Sequence, residues 1–214
     1  AHFMLTSNEI FWFALAALVL GFTPGPNMAY CLSRTVCQGR LAGLVSLAGV
    51  LAAYGVHVMA TALGLTAILL TSPSMFDAIK IAGAAFLLWL AWCVLRPGAV
   101  ATLVVRDLRP APASKLFCMG FLVNLLNPKA VLFYLALLPQ FLHPDRGALM
   151  VQTFQLGAVQ VAMSGAVMGA LVCGVSHLQQ LLSQVNGAWQ QISRYLMGGV
   201  FAALAIRLLM VRMG

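Results

Sequence analysis

Long apolar segments, separated by short polar stretches, make up most of this 214-residue chain. An α-helix needs about 20 mainly apolar residues to cross the hydrocarbon core of a bilayer. We predict six transmembrane helices, at residues 10–36, 41–70, 75–95, 116–138, 148–175 and 192–211. The pattern therefore indicates an all-α integral membrane protein, with a single transmembrane domain over residues 1–214.

Two of these segments are interrupted by prolines next to polar residues. The first interruption is Thr23-Pro24-Gly25-Pro26-Asn27 and the second is Asn127-Pro128-Lys129. Proline lacks an N–H group and cannot continue the hydrogen-bond ladder of a helix. Irregular backbone is tolerated inside a bilayer only where it is buried in protein or lines a watery cavity. We therefore expect the two breaks to form a site for a solute.

The breaks recur at similar places in the two halves of the chain, residues 1–110 and 111–214. Arg40 follows Pro26 by 14 residues, and Arg146 follows Pro128 by 18 residues. Each half holds three predicted spans, and an odd number of spans turns the second half upside down relative to the first. The sequence thus predicts a 3+3 inverted repeat with broken helices one and four, and alternating access around a site near the midplane.

The composition excludes several other classes of protein. Hydrophobic residues make up 62% of the chain and charged residues 7%, whereas a soluble domain has about 25% charged residues. Six spans leave no room for a separate catalytic domain, so we expect a transporter and not an enzyme. The five cysteines are scattered singly, without a CxxC pair or metal-ligand spacing, so we expect no metal site and no cofactor.

The net charge of +8 reflects membrane topology and not nucleic-acid binding, because the basic residues lie mostly between apolar segments. Two basic residues, Arg34 and Arg40, lie at the junction of spans one and two, and four lie between spans three and four. Cytoplasmic loops are enriched in lysine and arginine, so these loops are predicted to be cytoplasmic. Both termini are then expected on the outer side of the membrane.

The residues at the breaks are the first candidates for chemistry. Lys129 is the one charge that falls deep within a predicted span, and an ionisable residue there is by default a functional candidate. It would meet a substrate carboxylate or a proton, or else it would snorkel towards the interface or bond the free carbonyls of a broken helix. Asn27 and Asn127 could bind a zwitterion or cap the half-helices. Gly25 permits close approach of backbone to a ligand, or simply a flexible kink.

Polar residues at similar depth in other spans are further candidates. His57 lies near the middle of span two, with Tyr54 and Thr61 on the same helix face. It could be a packing histidine or a proton carrier, since an unperturbed imidazole titrates near neutral pH. Gln160 and Ser164 in span five could line a pore or bond neighbouring helices.

The chain resembles the LysE/RhtB family of amino-acid exporters along essentially its whole length. The resemblance rests on motifs at the two breaks and in spans two and three, namely residues 21–27 (GFTPGPN), 56–58 (VHV), 64–65 (GL), 80–84 (KIAGA), 121–130 (FLVNLLNPKA) and 138–141 (LPQF). The resemblance implies a multi-pass protein of the bacterial inner membrane that acts as a homodimer. In that membrane, the distribution of basic residues described above places both termini in the periplasm.

The resemblance further implies secondary-active export of small amino acids, neutral or basic, such as threonine, homoserine, leucine or lysine, driven by protons. Beyond the amino acid, protons and lipid, no partner is implied. His57 is the candidate for proton coupling. The motifs and the polar residues around them together give the predicted substrate-binding set, which is Pro24, Gly25, Pro26, Asn27, Tyr54, Asn124, Asn127, Pro128, Lys129 and Gln160.

Two other kinds of carrier from the same superfamily remain as alternatives. A thiol-redox carrier needs cysteines at equivalent places in spans one and four, but Cys31 lies five residues after Pro26 and Cys118 ten before Pro128. A cation exporter needs oxygen ligands near the midplane. The four carboxylates lie at span ends or in loops instead, at Glu9, Asp77, Asp107 and Asp145.

Overall fold

The computed structural model describes residues 5–23, 25–71 and 109–182, together with isolated helical positions between 78 and 95 and between 195 and 206. The predicted third and sixth spans, at 75–95 and 192–211, therefore lie largely outside the described residues. Pro24 lies outside them as well.

The described ranges are helical throughout, with short connections and no strand. A π-helical segment, Phe133–Leu137, and two 3₁₀ segments, Leu138–Phe141 and Pro144–Arg146, lie between the fifth and sixth α-helices. The α-helices are α1 (Ser7–Phe22), α2 (Pro26–Gln38), α3 (Arg40–Thr71), α4 (Ala113–Leu125), α5 (Pro128–Leu132) and α6 (Leu149–Leu182).

Two of these helices, α3 and α6, are each long and apolar enough to cross a membrane. They match the predicted second and fifth spans. Helices α1 and α2 pass the same test only as a pair, bent by 55°, and α4 passes it with the segment Pro128–Phe141, bent by 50°. The described ranges thus hold two candidate spans, or four if each bent pair is one span. An all-helical membrane protein is confirmed to this extent.

The ends of α1 and α2 follow from local sequence. The hydroxyl of Thr6 caps the start of α1, and the carboxylate of Glu9 bonds back to the Thr6 backbone at 2.8 Å. At its other end, the chain becomes extended at Thr23 and stays extended at Gly25. Pro26 then occupies the first turn of α2, where its missing N–H group costs nothing.

The same chemistry starts α5. The side-chain oxygen of Asn127 accepts a hydrogen bond of 3.0 Å from the backbone N–H of Lys129, and Pro128 lies in the first turn. Asn127 is therefore a helix cap, which was one of its two predicted roles.

Glycines bring the backbones of α3 and α4 into direct contact. A Cβ atom on Gly49 would overlap the carbonyl oxygen of Phe117, and one on Gly120 would overlap that of Ser46. This pair of helices makes the most extensive contact between described elements. Small residues allow such close approach where the lipid offers no hydrophobic drive for association. Gly49 and Gly120 thus let α3 pack closely onto α4, ahead of the second break.

The apolar core lies between α1, α2, α3, α6 and the segment that follows the second break. Phe13 of α1 stacks edge-on against Phe141, with ring centroids 5.3 Å apart, and lies 5.6 Å from Phe133. Tyr134 is 1% exposed and lies 6.1 Å from Tyr54 of α3. These aromatic contacts pack the segment after the second break against α1 and α3.

Candidate functional site

The two breaks meet inside the bundle and exchange hydrogen bonds. The ammonium of Lys129 donates to the backbone carbonyl of Thr23 at 2.6 Å. The carboxamide nitrogen of Asn27 donates to the carboxamide oxygen of Asn124 at 2.7 Å. In each bond the donor is the residue after the proline that starts a second half-helix. The acceptor lies at the end of the first half-helix of the other pair.

Lys129 therefore bonds a carbonyl that has no helical partner at the end of α1, which was one of its predicted roles. The last carbonyls of a helix carry partial negative charge, so an ammonium at this place is favourable. The Lys129 ammonium also lies 3.6 Å from the position that a Cβ atom on Gly25 would occupy. The absence of a side chain at Gly25 leaves open space beside the cation.

Asn124 is held on both sides of its carboxamide. Its nitrogen donates to the backbone carbonyl of Val50 in α3 at 2.7 Å, and its oxygen accepts from Asn27. Asn124 is completely buried. The side-chain oxygen of Asn27 is also buried and has no hydrogen-bond partner.

A small cavity of about 20 Å³ lies between the breaks. A cavity of that size holds about one water molecule, so its walls must separate before a larger solute can enter. Five residues of the predicted substrate-binding set line it, namely Gly25, Asn27, Tyr54, Asn127 and Lys129.

Among the described residues, four other members of the predicted set do not line this cavity, namely Pro26, Asn124, Pro128 and Gln160. Pro26 and Pro128 shape the breaks, and Asn124 lies behind Asn27. Gln160 is fully buried in α6, where its nitrogen donates to the hydroxyl of Ser164 at 2.9 Å and its oxygen has no partner. This bond joins two turns of one helix and not two helices.

Several lining residues were not in the predicted set. Their spacing offered a signal, because Val50 lies one turn before Tyr54 in α3 and Met168 one turn after Ser164 in α6. The hydroxyl of Tyr54 lies beside both Asn27 and Ser164. The lining residues absent from the predicted set are Leu20, Gly21, Thr23, Met28, Val50, Ala130, Ser164 and Met168.

His57 lies one turn beyond the cavity wall and contacts the second break. Its ring stacks on Tyr134, with centroids 5.5 Å apart and planes 22° apart. Its Nε2 atom lies 3.3 Å from the backbone carbonyl of Asn124. The hydroxyl of Tyr134 is buried without a hydrogen-bond partner. Packing and proton carriage are both compatible with these contacts.

A cluster of polar contacts lies near the start of α1. We call Glu9, His143 and Arg146 the Glu9 cluster. The Glu9 carboxylate contacts His143 Nε2 at 2.7 Å and accepts from the Arg146 guanidinium at 3.0 Å. Gln152 of α6 holds His143 through two hydrogen bonds of 2.9 Å to its backbone N–H and carbonyl.

A second cluster lies at the opposite end, near the end of α2. We call Arg34, Gln38, Arg109 and Ala111 the Gln38 cluster. The Arg34 guanidinium donates to the Arg109 carbonyl at 2.9 Å. The Gln38 carboxamide donates to the carbonyl of Ala111 at 2.7 Å and accepts from its N–H at 2.9 Å. At about 1.5 Å of rise per residue, Glu9 lies about 20 Å from Thr23 along α1 and Gln38 lies about 16 Å from Asn27 along α2.

The described residues offer little to the chemistry of the alternative carriers. They contain no group of three or more His, Cys, Asp or Glu side chains placed to hold a metal ion. Cys31 is buried in α2 while Cys118 is exposed on α4, and neither is in a disulfide.

Sequence comparison identifies the family in which these two breaks occur. Residues 18–212 match the family described as LysE type translocator. The chain belongs to the LysE family. The resemblance inferred from the break motifs is thereby confirmed over nearly the whole sequence.

Curated relatives of this LysE-family chain include named efflux proteins. A homoserine/homoserine lactone efflux protein of Salmonella typhimurium is 31% identical over 162 residues, which cover 73% of this chain and 76% of the relative. A leucine efflux protein of Klebsiella pneumoniae is 26% identical over 196 residues, 92% of each chain. An uncharacterized membrane protein of Vibrio cholerae is 31% identical over 82% of this chain and 85% of its own length. No solved structure gives a significant match.

Proposed function

We propose that this LysE-family chain exports small amino acids with uncharged side chains across the bacterial inner membrane, as a secondary-active transporter and not an enzyme. The observation that carries the proposal is the cavity between the breaks, which is lined by Lys129, a cation, and by Asn27, whose side-chain oxygen is buried without a hydrogen-bond partner. A zwitterion presents an anion and a donor at one carbon atom, and these two groups complement such a site. Efflux of homoserine and leucine by relatives supports the same class of substrate.

Lys129 is proposed to bind the carboxylate. Of the lining residues that the structure describes, it is the one with a charged side chain. Its present partner is a neutral carbonyl at 2.6 Å, so a carboxylate could replace that partner and gain a charge-assisted bond. Gly25 leaves the space for this approach.

The walls favour an uncharged side chain on the substrate. Apolar groups of Leu20, Met28, Val50 and Met168 line the cavity. A lysine substrate would bring a second cation close to Lys129, and the described lining contains no carboxylate to balance it. Neutral amino acids are therefore proposed over basic ones.

Transport is proposed to proceed by alternating access around the breaks. Residues 1–110 and 111–214 would form an inverted repeat with broken helices one and four, as the reciprocal bonds of Asn27 and Lys129 suggest. The Glu9 cluster and the Gln38 cluster would close the two ends in turn. A cavity of about 20 Å³ with both clusters formed corresponds to an occluded arrangement.

His57 is proposed as the proton carrier that couples transport to the pH gradient. Protonation would make Nε2 a charged donor to the Asn124 carbonyl, 3.3 Å away at the end of α4. A change in that bond acts directly on the second break. The proposal includes periplasmic termini, from the distribution of basic residues, and a homodimer, from the family resemblance.

The test is transport by the purified protein in proteoliposomes with an imposed pH gradient. Labelled leucine, homoserine and threonine should move, while lysine should move at least about tenfold more slowly. Labelled divalent cations and a dithiol reductant assay test the cation exporter and the thiol carrier. Movement of a cation or of reducing equivalents without any amino acid would overturn the proposal, and an inactive Lys129→Met variant provides the background rate.

A further inference from the structure

We infer that Asn124 is a positioning residue: it turns the Asn27 carboxamide so that the oxygen faces the cavity, where this oxygen accepts a hydrogen bond from the substrate ammonium. The inference rests on the proposed function, and it deepens that function by assigning the atom that distinguishes an amino acid from the same acid without its amino group. It also gives Asn124 a role other than direct contact with substrate.

The orientation follows from which groups can donate. The Val50 backbone carbonyl can only accept, so Asn124 must present its NH₂ group to it, at 2.7 Å. A carboxamide has one nitrogen and one oxygen, and the oxygen of Asn124 is then left to face Asn27. Asn27 must present its own NH₂ group to that oxygen, at 2.7 Å. Its oxygen is thereby turned away from Asn124.

The side-chain oxygen of Asn27 is a buried hydrogen-bond acceptor without a donor. Asn27 lines the cavity and is 9% exposed, yet its oxygen has no hydrogen bond from the protein. Buried polar atoms in folded proteins are nearly always satisfied, so an exception calls for an explanation. A substrate ammonium brings three N–H donors to this wall. The hydroxyl of Tyr54 lies beside Asn27 and offers one further oxygen.

Asn124 is too deeply buried to contact a ligand in the cavity, so its role must be to position Asn27. It is completely buried, lies outside the cavity lining, and has both ends of its carboxamide bonded to protein. A ligand in the cavity therefore meets Asn27 and not Asn124. Loss of Asn124 would free the Asn27 carboxamide to rotate, and either its oxygen or its NH₂ group could then face the cavity.

Binding of two matched ligands to the purified full-length protein tests this. L-Leucine and 4-methylpentanoate differ by the amino group, and isothermal titration gives the ratio of their Kd values. The wild type should prefer leucine by at least about tenfold, since a site built around a hydrogen bond rejects the analogue that lacks the donor. Asn124→Leu should lower the ratio by a few-fold, mainly by weakening leucine. Asn27→Leu should do the same.

Asn124→Asp is the matched control, because a protonated carboxyl group can donate to the Val50 carbonyl and still accept from the Asn27 NH₂ group, so this variant should keep the preference for leucine. Asn124→Ala replaces Asn124→Leu if the bulkier variant does not fold. If Asn124→Leu or Asn124→Ala weakens the binding of both ligands by the same factor, Asn124 is merely structural and the inference is wrong. Equal binding of both ligands to a wild type that still transports amino acids would overturn the inference alone. No binding of either ligand would overturn it together with the proposed function.

Discussion

The ammonium of Lys129 is hydrogen-bonded to the backbone carbonyl of Thr23, 2.6 Å away, although 106 residues separate the two in the chain. This single bond joins the start of one half-helix to the end of another, and it places a cation on the wall of the central cavity. Any solute anion that enters must compete with a neutral carbonyl for that cation.

Replacement of Lys129 by methionine should abolish export while the protein still folds. The change removes an intramembrane charge, which favours stability, but leaves the Thr23 carbonyl unpaired, at a cost of about 1–3 kcal/mol. We therefore expect a net change in stability of no more than about 2 kcal/mol. Lys129→Arg keeps the charge on a larger planar group and should retain part of the activity. Size exclusion in detergent and transport in proteoliposomes measure the two effects, and near-normal transport by Lys129→Met would contradict this role.

Ligand analogues that lack the carboxylate should bind poorly. L-Leucinamide keeps the ammonium and the side chain but replaces the anion with a neutral group, so its binding should be about tenfold weaker or more than that of leucine. The difference should largely disappear in Lys129→Met, because that variant has lost the partner of the carboxylate. Titration of both ligands into both proteins makes this comparison. If Lys129→Met still prefers leucine to leucinamide, the substrate carboxylate binds at a residue other than Lys129.

His57→Gln should uncouple export from the pH gradient and leave binding intact. Glutamine can still donate to the Asn124 carbonyl, but it does not titrate in the range where imidazole does. Tyr134→Phe is the control, since it preserves the ring that stacks on His57 and removes a hydroxyl that has no partner. Concentrative uptake with and without an imposed gradient is the measurement. If His57→Gln still accumulates substrate in response to the gradient, histidine does not carry the proton.

Gly49→Ala should destabilise the protein by at least about 2 kcal/mol, because the new methyl group overlaps the Phe117 carbonyl and the backbones of α3 and α4 must separate. Gly120→Ala should behave in the same way against Ser46. Gly55 lies on α3 with nothing within 4 Å of its Cβ position, so Gly55→Ala is the matched control and should not lower stability. Thermal unfolding in detergent compares the three, and equal midpoints would refute the close packing.

Glu9→Gln should loosen the Glu9 cluster and open the cavity toward that end. Because the contacts with His143 and Arg146 are weakened, the population of molecules open at that end should rise by about two- to fivefold. Ser164→Cys in a cysteine-free background reports entry of a membrane-impermeant maleimide into the cavity. Glu9→Gln should raise the labelling rate from the side of Glu9, and Gln38→Leu should raise it from the opposite side. Unchanged rates from both sides would mean that the clusters do not gate access.

Much of the architecture followed from local features of the sequence. Prolines at 26 and 128 end one helix and start the next wherever they stand, because the cause is the missing N–H group of the residue itself. Apolar length identified the candidate spans 41–70 and 148–175, and the break motifs identified the family. Gly25, Asn27, Asn127 and Lys129 could be assigned to the site for the same reason, since each lies within a break.

Other features depended on contacts that the sequence does not encode locally. The bond between Asn27 and Asn124 spans 97 residues, and the one between Glu9 and Arg146 spans 137. Val50 and Met168 line the cavity because α3 and α6 happen to cross there, and an apolar residue in an apolar helix gives no sign of which neighbour it will meet. The sequence by itself determined where the helices break and which polar groups stand at the breaks. Only the tertiary structure decided which of those groups are satisfied by protein and which are left to face the cavity, because hydrogen-bond partners are chosen by helix crossings and not by position along the chain.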